Sequence, residues 1–534
     1  MTSDVNVPAH LGQARAGPRQ APVRRYLWIA AAGIGAALTV MVAVSLARQS
    51  WTGPPLRMPA VGPPFDLVRW RLSQSTVALA LWASTLAGGA GVAAGLVAAR
   101  RGATPPIWPL IAVAGMAIVA LTVLPPAGST DSLDYMSFGR MLALGHSPYV
   151  MVPLDLIRAH GPLARSIPWE WDHYPSSYGP AASAEQYVAA LLGGTSAARI
   201  VFWLKLANAI AFASVAAAAD RMLRHDPAAR LRAHLLWTAN PLLIWQLLAS
   251  AHLDVLAAAA GMAGLLVAGG RAIGAGPAPA RRPLAGPVLA HPRAARIIAG
   301  GLLVGLAADI KITFALFGVG LAWTLRRSPG SALAAIAAMV AVVVPSYAWF
   351  GTPAITAITS RANQSTADTF YKLFSHDQSG FLLAHVGVIA AVLAVAISII
   401  ALTRLPVRDS SQPAVFAALA LSTAWLFVWQ YQLPWYDAMI ICLLILVPAC
   451  WLDWLVIARL TATTIALQPG SQAPIAQRLL AAAGRLNFQL LSPLVLLGAA
   501  GCLVAGCLLS SRAGRQSATT ATATPAGKVS DRGR

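Results

Sequence analysis

The chain has 534 residues, 57% of them apolar and 11% charged, with a mean hydropathy of +0.65 and a formal net charge of +21. A soluble domain carries about 25% charged residues and cannot hide this much apolar surface in one core, so cytosolic and secreted enzymes are excluded. The basic excess is arginine in short loops between apolar runs, the pattern of cytoplasmic loops lying beside anionic headgroups, and it lacks the interleaved aromatics of a nucleic-acid-binding face.

In chain order, the Pro- and Arg-rich segment 1–25 reads as a disordered cytoplasmic terminus. Apolar runs of roughly 18 residues or more can each cross a hydrocarbon layer of about 30 Å. The first three are Tyr26–Ala47, Ser75–Ala99 and Ile107–Leu124, with Arg100 and Arg101 between the last two. If the N-terminus is inside, the segment 125–198 emerges outside as a large first loop, in which the short run Ala181–Gly193, carrying Glu185, reads as interfacial. Arg199–Ala219 returns the chain to a basic loop, and Ala233–Gly269 holds two spans turning near Ser250–Asp254. Another basic loop follows, with Arg271, Arg281, Arg282, Arg293 and Arg296. Ile297–Leu325 reads as two short helices turning near Asp309–Lys311, with one long tilted helix as the alternative. Ser331–Phe350 leads to a second outer loop at 351–380, and Phe381–Thr403, Val415–Gln430, Asp437–Ile457 and Phe488–Leu509 complete the set. The expectation is an all-α polytopic transmembrane bundle of about 11–13 spans over 26–510, followed by a disordered tail at 511–534.

Only 18 acidic residues occur, and Asp131, Asp134, Asp155, Glu170, Asp172, Asp254, Asp368, Asp377 and Asp437 all fall on the outer side of this topology. Carboxylates tolerated where arginine is avoided would explain that placement; a site on that face explains it too, and the dense polar-aromatic clusters favour the site.

The first cluster runs from Gly128 to Tyr149, where Ser129 or Thr130 can cap a short helix with Asp131 and Asp134 in its first turn. Asp131, Asp134 and Tyr135 lie three and four apart, on neighbouring turns. Either Asp131 only favours the helix dipole, or it is a carboxylate held at the lipid–water boundary to take a proton from a hydroxyl. The second, Pro168–Pro180, interleaves Trp and Tyr with Glu170, Asp172 and His173, which suits either an interfacial anchor or stacking on sugars. In the third, Asn240 and Pro241 interrupt a helix ahead of His252 and Asp254, and two such ligands do not make a metal site. Asp309 and Lys311 stand inside an apolar run, where charges pair or face a polar cavity unless, like a lysine, they can snorkel. Trp435 and Tyr436 add aromatics at an outer helix end, while Arg361, Lys372 and His376 are outward cations suited to a phosphate.

In this order the clusters resemble the GT-C superfamily of membrane glycosyltransferases, and most closely the actinobacterial polyprenol-phosphate-mannose-dependent alpha-1,6-mannosyltransferases. The resemblance rests on Asp131, Tyr135, Gly139, Arg140, Gly145, Pro148 and Tyr149; on Tyr178-Gly179-Pro180; on Asn240–Leu242 with His252 and Asp254; on Lys311; and on Pro434–Tyr436. It covers roughly 75–460. Asp134 stands where that family often has a small polar residue, and the stretch after Tyr-Gly-Pro, with Glu185, departs from the usual apolar helix.

The resemblance implies an inverting transferase in the plasma membrane. It would move mannose from a polyprenyl-phosphate donor to a lipid-linked glycan acceptor of the alpha-1,6-mannan or lipomannan type at the outer face. No cofactor is expected from the sequence, with a divalent metal as the alternative it leaves open. Asp131 is the implied base, with Asp134 the second candidate. Tyr135, Arg140, His173, Tyr178, His252, Asp254, Lys311, Arg361, Lys372, Trp435 and Tyr436 are the candidates for holding donor phosphate and sugar. The alternatives are transfer of another sugar such as arabinofuranose, a polysaccharide polymerase or ligase, and a lipid or polysaccharide transporter. A transporter usually shows paired broken helices in two related halves, and Asp309 and Lys311 have no such counterpart.

Overall fold

The computed structural model describes residues 20–47, 71–269, 290–361, 385–405, 412–468 and 477–521, with shorter stretches between 56 and 67, at 364–366 and at 369–374. Among the described residues every regular element is helical. The basic stretch 270–289, Asp368, His376 and Asp377, as well as 1–19 and 522–534, lie outside the described residues.

Helices α1 (Gln20–Leu46), α2 (Gln74–Arg100) and α3 (Trp108–Val123) precede the long loop, and α1 and α2 pack side by side. In the loop lie α4 (Asp131–Ala143), α5 (Pro153–Arg158) and α6 (Pro180–Gly193), before α7 (Ala197–Leu223) carries the chain away from it. There follow α8 (Pro227–Ala233), α9 (Pro241–Ile244), α10 (Asp254–Gly269), α11 (Ala290–Ile310), α12 (Ala315–Leu325), α13 (Pro329–Phe350) and α14 (Thr352–Thr359). The remaining helices include Val386–Arg404, Pro413–Val428, Ala438–Leu444, Leu452–Ala466 and Ser492–Ala521. Helix thus reaches into both flanking segments expected to be disordered, from Gln20 at one end and as far as Ala521 at the other.

Among the described residues six helices are long and apolar enough to cross a membrane: Val23–Leu46, Gln74–Arg100, Ala197–Leu223, Pro329–Phe350, Val386–Arg404 and Arg478–Leu509. A seventh is added if Pro227–Ala249 and Asp254–Gly269, bent by 115° at their junction, form one broken span. Shorter apolar helices such as Trp108–Val123, Ile312–Leu325 and Pro413–Val428 fill the bundle between them. The chain is therefore an all-helical membrane protein.

Two breaks anticipated from sequence are present. Asn240 leaves helical geometry and its side chain accepts from Leu242 N–H at 3.1 Å, with Pro241 starting the next turn. Lys311 adopts extended backbone (φ −147°, ψ 116°) between α11 and the short turn that opens α12. The segment Asp437–Ile457, expected as one span, is split into Ala438–Leu444 and Leu452–Ala466. The reason lies in charge pairing: the Asp453 carboxylate accepts two bonds from Arg232 (2.8 and 2.5 Å) and one from Arg100 (3.1 Å), and Arg232 also donates to the carbonyls of Leu444 and Val447. A buried carboxylate with that many donors is compensated, and the freed carbonyls at the break are satisfied by the same guanidinium.

Candidate active site

The entry to the long loop is fastened to the bend between α9 and α10. Ala127 N–H donates to Ala249 O at 3.0 Å and Ser250 Oγ donates to Ala127 O at 2.8 Å. Gly128 has φ +94°, and a Cβ there would stand 2.6 Å from Ser250 Oγ. At the same bend Ala251, not a glycine, takes φ +57°, and Asn208 of α7 holds it by donating to Leu247 O and His252 O at 3.0 and 2.9 Å. Gly128→Ala is expected to lose about 1–2 kcal/mol from the left-handed backbone alone, with more from the clash, and to lower activity through the displaced helix. Thermal unfolding measures it, and an unchanged Tm would show that the junction moves freely.

From this junction α4 begins at Asp131. Ser129 Oγ donates to Asp131 Oδ1 at 2.9 Å and accepts from Asp131 N–H at 3.2 Å, so Ser129 rather than Thr130 makes the local contact. Asp131 Oδ2 lies 3.5 Å from His252 Nδ1, and the carboxylate side chain keeps 18% exposure while the His252 side chain has none. Both His252 nitrogens lack a hydrogen-bond partner, and its ring stacks on Trp435 with centroids 3.5 Å apart. Lys311 donates to Asp254 Oδ1 at 2.7 Å and places its ammonium 3.8 Å from the Tyr436 ring centroid. Tyr135, one turn beyond Asp131, donates its hydroxyl to Tyr178 Oη at 3.1 Å. Asp131, Tyr135, Tyr178, His252, Asp254, Lys311, Trp435 and Tyr436, drawn from five separate parts of the chain, thus form one cluster.

The two acids of α4 differ. Burial raises the Asp131 carboxyl to about 6, opposed by the Ser129 hydrogen bond and the Lys311 charge. Asp134 is buried with Oδ1 unpartnered; burial first, then the neighbouring Asp131 and Glu170, push it well above the usual carboxylate range. Asp131 is the acid that a solute can reach and that ionises near neutrality.

Other candidates lie elsewhere. Arg140 sits nine residues along α4 from Asp131, about 13 Å at helical rise. The His173 side chain is 71% exposed and hydrogen-bonds Asp172. Arg361 stacks over Trp171 and Tyr174, at 5.3 and 4.9 Å from their centroids, and donates to Pro175 O at 3.4 Å, forming a second group beside the first. Lys372 lies half-buried in the turn Phe370–Phe374. Among the described residues no three His, Cys, Asp or Glu side chains converge as a metal set.

Sequence reasoning missed several supports. Lys205 of α7 donates to the carbonyls of Leu124 (2.8 Å) and Pro125 (3.4 Å), fixing the end of α3. A lysine inside an apolar run, in a chain with few lysines, was the available signal. Asn208, and the buried Arg459 that bonds Asp437 and Gln432 behind Trp435, carried no motif.

An accessible carboxylate thus stands beside a buried histidine, ringed by aromatics and a lysine, on the long loop of an all-helical membrane protein. Residues 30–327, more than half of the chain, match the alpha-(1->6)-mannopyranosyltransferase N-terminal domain model. The chain belongs to that family. It is 28% identical over 206 residues to a probable alpha-(1->6)-mannopyranosyltransferase of Mycolicibacterium smegmatis, a stretch covering 36% of this chain and 35% of the relative. It is 26% identical over 138 residues to alpha-(1->6)-mannopyranosyltransferase B of Corynebacterium glutamicum, covering 26% and 23%. The matched stretches therefore span about a third and a quarter of those relatives' lengths. No solved structure matches the chain.

Proposed function

We propose that the protein transfers a mannosyl residue from a polyprenyl-phosphate-mannose donor to a lipid-linked glycan of the alpha-1,6-mannan or lipomannan type, at the outer face of the plasma membrane. The observation that carries the reading is Asp131: exposed enough to meet a hydroxyl, raised to about 6 by burial, and fixed by Ser129 beside His252. The family assignment supports the sugar and the linkage.

In this reading the acceptor hydroxyl gives its proton to Asp131 as its oxygen attacks the anomeric carbon. The bond from that carbon to the phosphate oxygen breaks on the opposite face, with its electron pair leaving on the phosphodiester, so the configuration inverts through an oxocarbenium-like transition state. Lys311 is already compensated by Asp254, so the departing phosphate is assigned to Arg361, presented on the Trp171–Tyr174 rings. The aromatic surfaces of Tyr178, Trp435 and Tyr436 suit a pyranose ring. Asp134 serves as a neutral neighbour of the base, and the segments 125–198 and 351–361 form the working face.

The test supplies labelled polyprenyl-phosphate mannose to membranes carrying the protein. Label is expected in a glycan, with free polyprenyl phosphate released in equal amount, and a cysteine replacing the exposed His146 should react with an impermeant thiol reagent in intact cells. Movement of intact donor across the bilayer without release of polyprenyl phosphate would establish the transporter reading instead.

A further inference from the structure

Between the helices Pro413–Val428 and Ala438–Leu444 the chain passes the site as a short stem and one turn, Pro434–Asp437, which presents the two rings that close the cluster. Trp435 stacks on His252 and Tyr436 lies under the Lys311 ammonium, yet the turn starts without a side-chain cap of its own. Its hold comes from behind. Arg459, on the helix Leu452–Ala466, is fully buried, and one end of its guanidinium donates to the carboxylate of Asp437, the last residue of the turn. The other end donates to Oε1 of Gln432, just ahead of the turn, at 2.6 Å. Gln432 is also fully buried, and its Nε2 donates to the carbonyls of Leu426 (3.2 Å) and Trp429, which the end of the helix Pro413–Val428 leaves without helical partners. The backbone N–H of Gln432 donates to Thr366 Oγ1 at 3.0 Å, and Thr366 N–H donates back to Gln430 O at 3.2 Å. Tyr371 Oη adds a bond to Val428 O at 2.6 Å. Thr366 and Tyr371 follow Arg361 in the second outer segment, so that segment is docked on the stem of the aromatic turn.

We infer that Arg459 and Gln432 are positioning residues: the guanidinium grips both ends of the Pro434–Asp437 turn and, through Gln432, ties the Arg361-bearing outer segment to the same stem. Two parts of the site are fixed at once. On one side the turn sets Trp435 against His252, beside Asp131, and Tyr436 against Lys311. On the other, the bonds from Gln432 and Val428 to Thr366 and Tyr371 set where the outer segment starts out from Arg361, the cation assigned to the donor phosphate. The spacing between the aromatic wall and that cation is thereby governed from one buried guanidinium. Only a planar fork can hold two acceptors in fixed geometry; an ammonium is a single point charge and leaves one of them unpaired.

The inference uses transfer activity as one readout and rests there on the proposed function; two other readouts are independent of it. Full-length protein in lipid nanodiscs is compared as wild type, Gln432→Leu and the double variant Arg459→Met/Asp437→Asn. The double variant removes both buried charges together, because taking the arginine alone strands the Asp437 carboxylate. In protein labelled with 5-fluorotryptophan, the Trp435 resonance, assigned as the line missing from Trp435→Phe, should move in both variants as the ring leaves His252. By hydrogen exchange, both should lose about tenfold or more of the protection in the Phe370–Phe374 turn while α2 keeps its own. With labelled polyprenyl-phosphate mannose and an alpha-1,6-mannobiose acceptor, both should show kcat lowered about tenfold and donor KM raised about tenfold. A merely structural role would reduce the amount of working enzyme and so lower kcat alone. An unmoved Trp435 resonance, unchanged protection in the Phe370–Phe374 turn, or an unchanged donor KM overturns the inference. Absence of transfer by the wild type would count against the proposed function and leave the resonance and the exchange result to decide on Arg459 and Gln432.

Discussion

Asp131→Asn is expected to lower kcat/KM for mannosyl transfer by about 10²- to 10⁴-fold while leaving membrane expression and thermal unfolding close to wild type. The amide keeps the shape and the contact to Ser129 but cannot take the proton of an attacking hydroxyl. The pH dependence has a definite sign. Burial raises the Asp131 carboxyl to about 6, and the base works only when ionised, so kcat/KM of the wild type should rise with pH through about 6 and level above it. Well below that point it should fall about tenfold per pH unit, and the asparagine variant should lack this limb. Initial rates across pH 4.5–8 measure both, to within roughly a unit of that midpoint. Wild-type turnover by the variant, or a flat wild-type profile, removes Asp131 from the reaction.

Lys311→Met carries the largest expected structural effect. The ammonium is buried, bonded to Asp254 at 2.7 Å and set over the Tyr436 ring, and its removal leaves a fully buried carboxylate without its cation. Breaking a buried pair from one side costs about 3–5 kcal/mol, whereas removing both charges together is often near neutral. Lys311→Met should therefore expose itself as a lowered Tm and reduced yield, and the double variant Lys311→Met/Asp254→Asn should recover most of the stability. Activity should stay low in both, since the aromatic wall loses its anchor. A double variant no more stable than the single would mean that the lysine acts otherwise than through Asp254.

The features legible in the sequence were those with a local physical signature. Asn240-Pro241 had to interrupt a helix, the charges Asp309 and Lys311 in an apolar run pointed to a turn there, and Asp131 in a first turn behind serine had a reason to be there. What remained hidden depended on tertiary neighbours. Asp309 was the charge in that run with no means to snorkel, but its partner, the Ser346 hydroxyl on α13, is coupled to it by nothing in a one-dimensional pattern. Arg140 matched the family pattern by spacing, yet helical rise carries it to the far end of α4. The break between Leu444 and Leu452 is stabilised by Arg232 and Arg100, which the sequence presented only as two more loop arginines.

The cluster also has an order in time. Asp131, His252, Asp254 and Lys311 all precede residue 312, so the Lys311–Asp254 pair can close before the C-terminal third of the chain has been made. Trp435 and Tyr436 arrive later and contribute flat apolar surfaces to a charge arrangement already closed. The Lys311–Asp254 pair needs no helix still on the ribosome, whereas the buried Arg232 meets Asp453 only when the C-terminal third arrives.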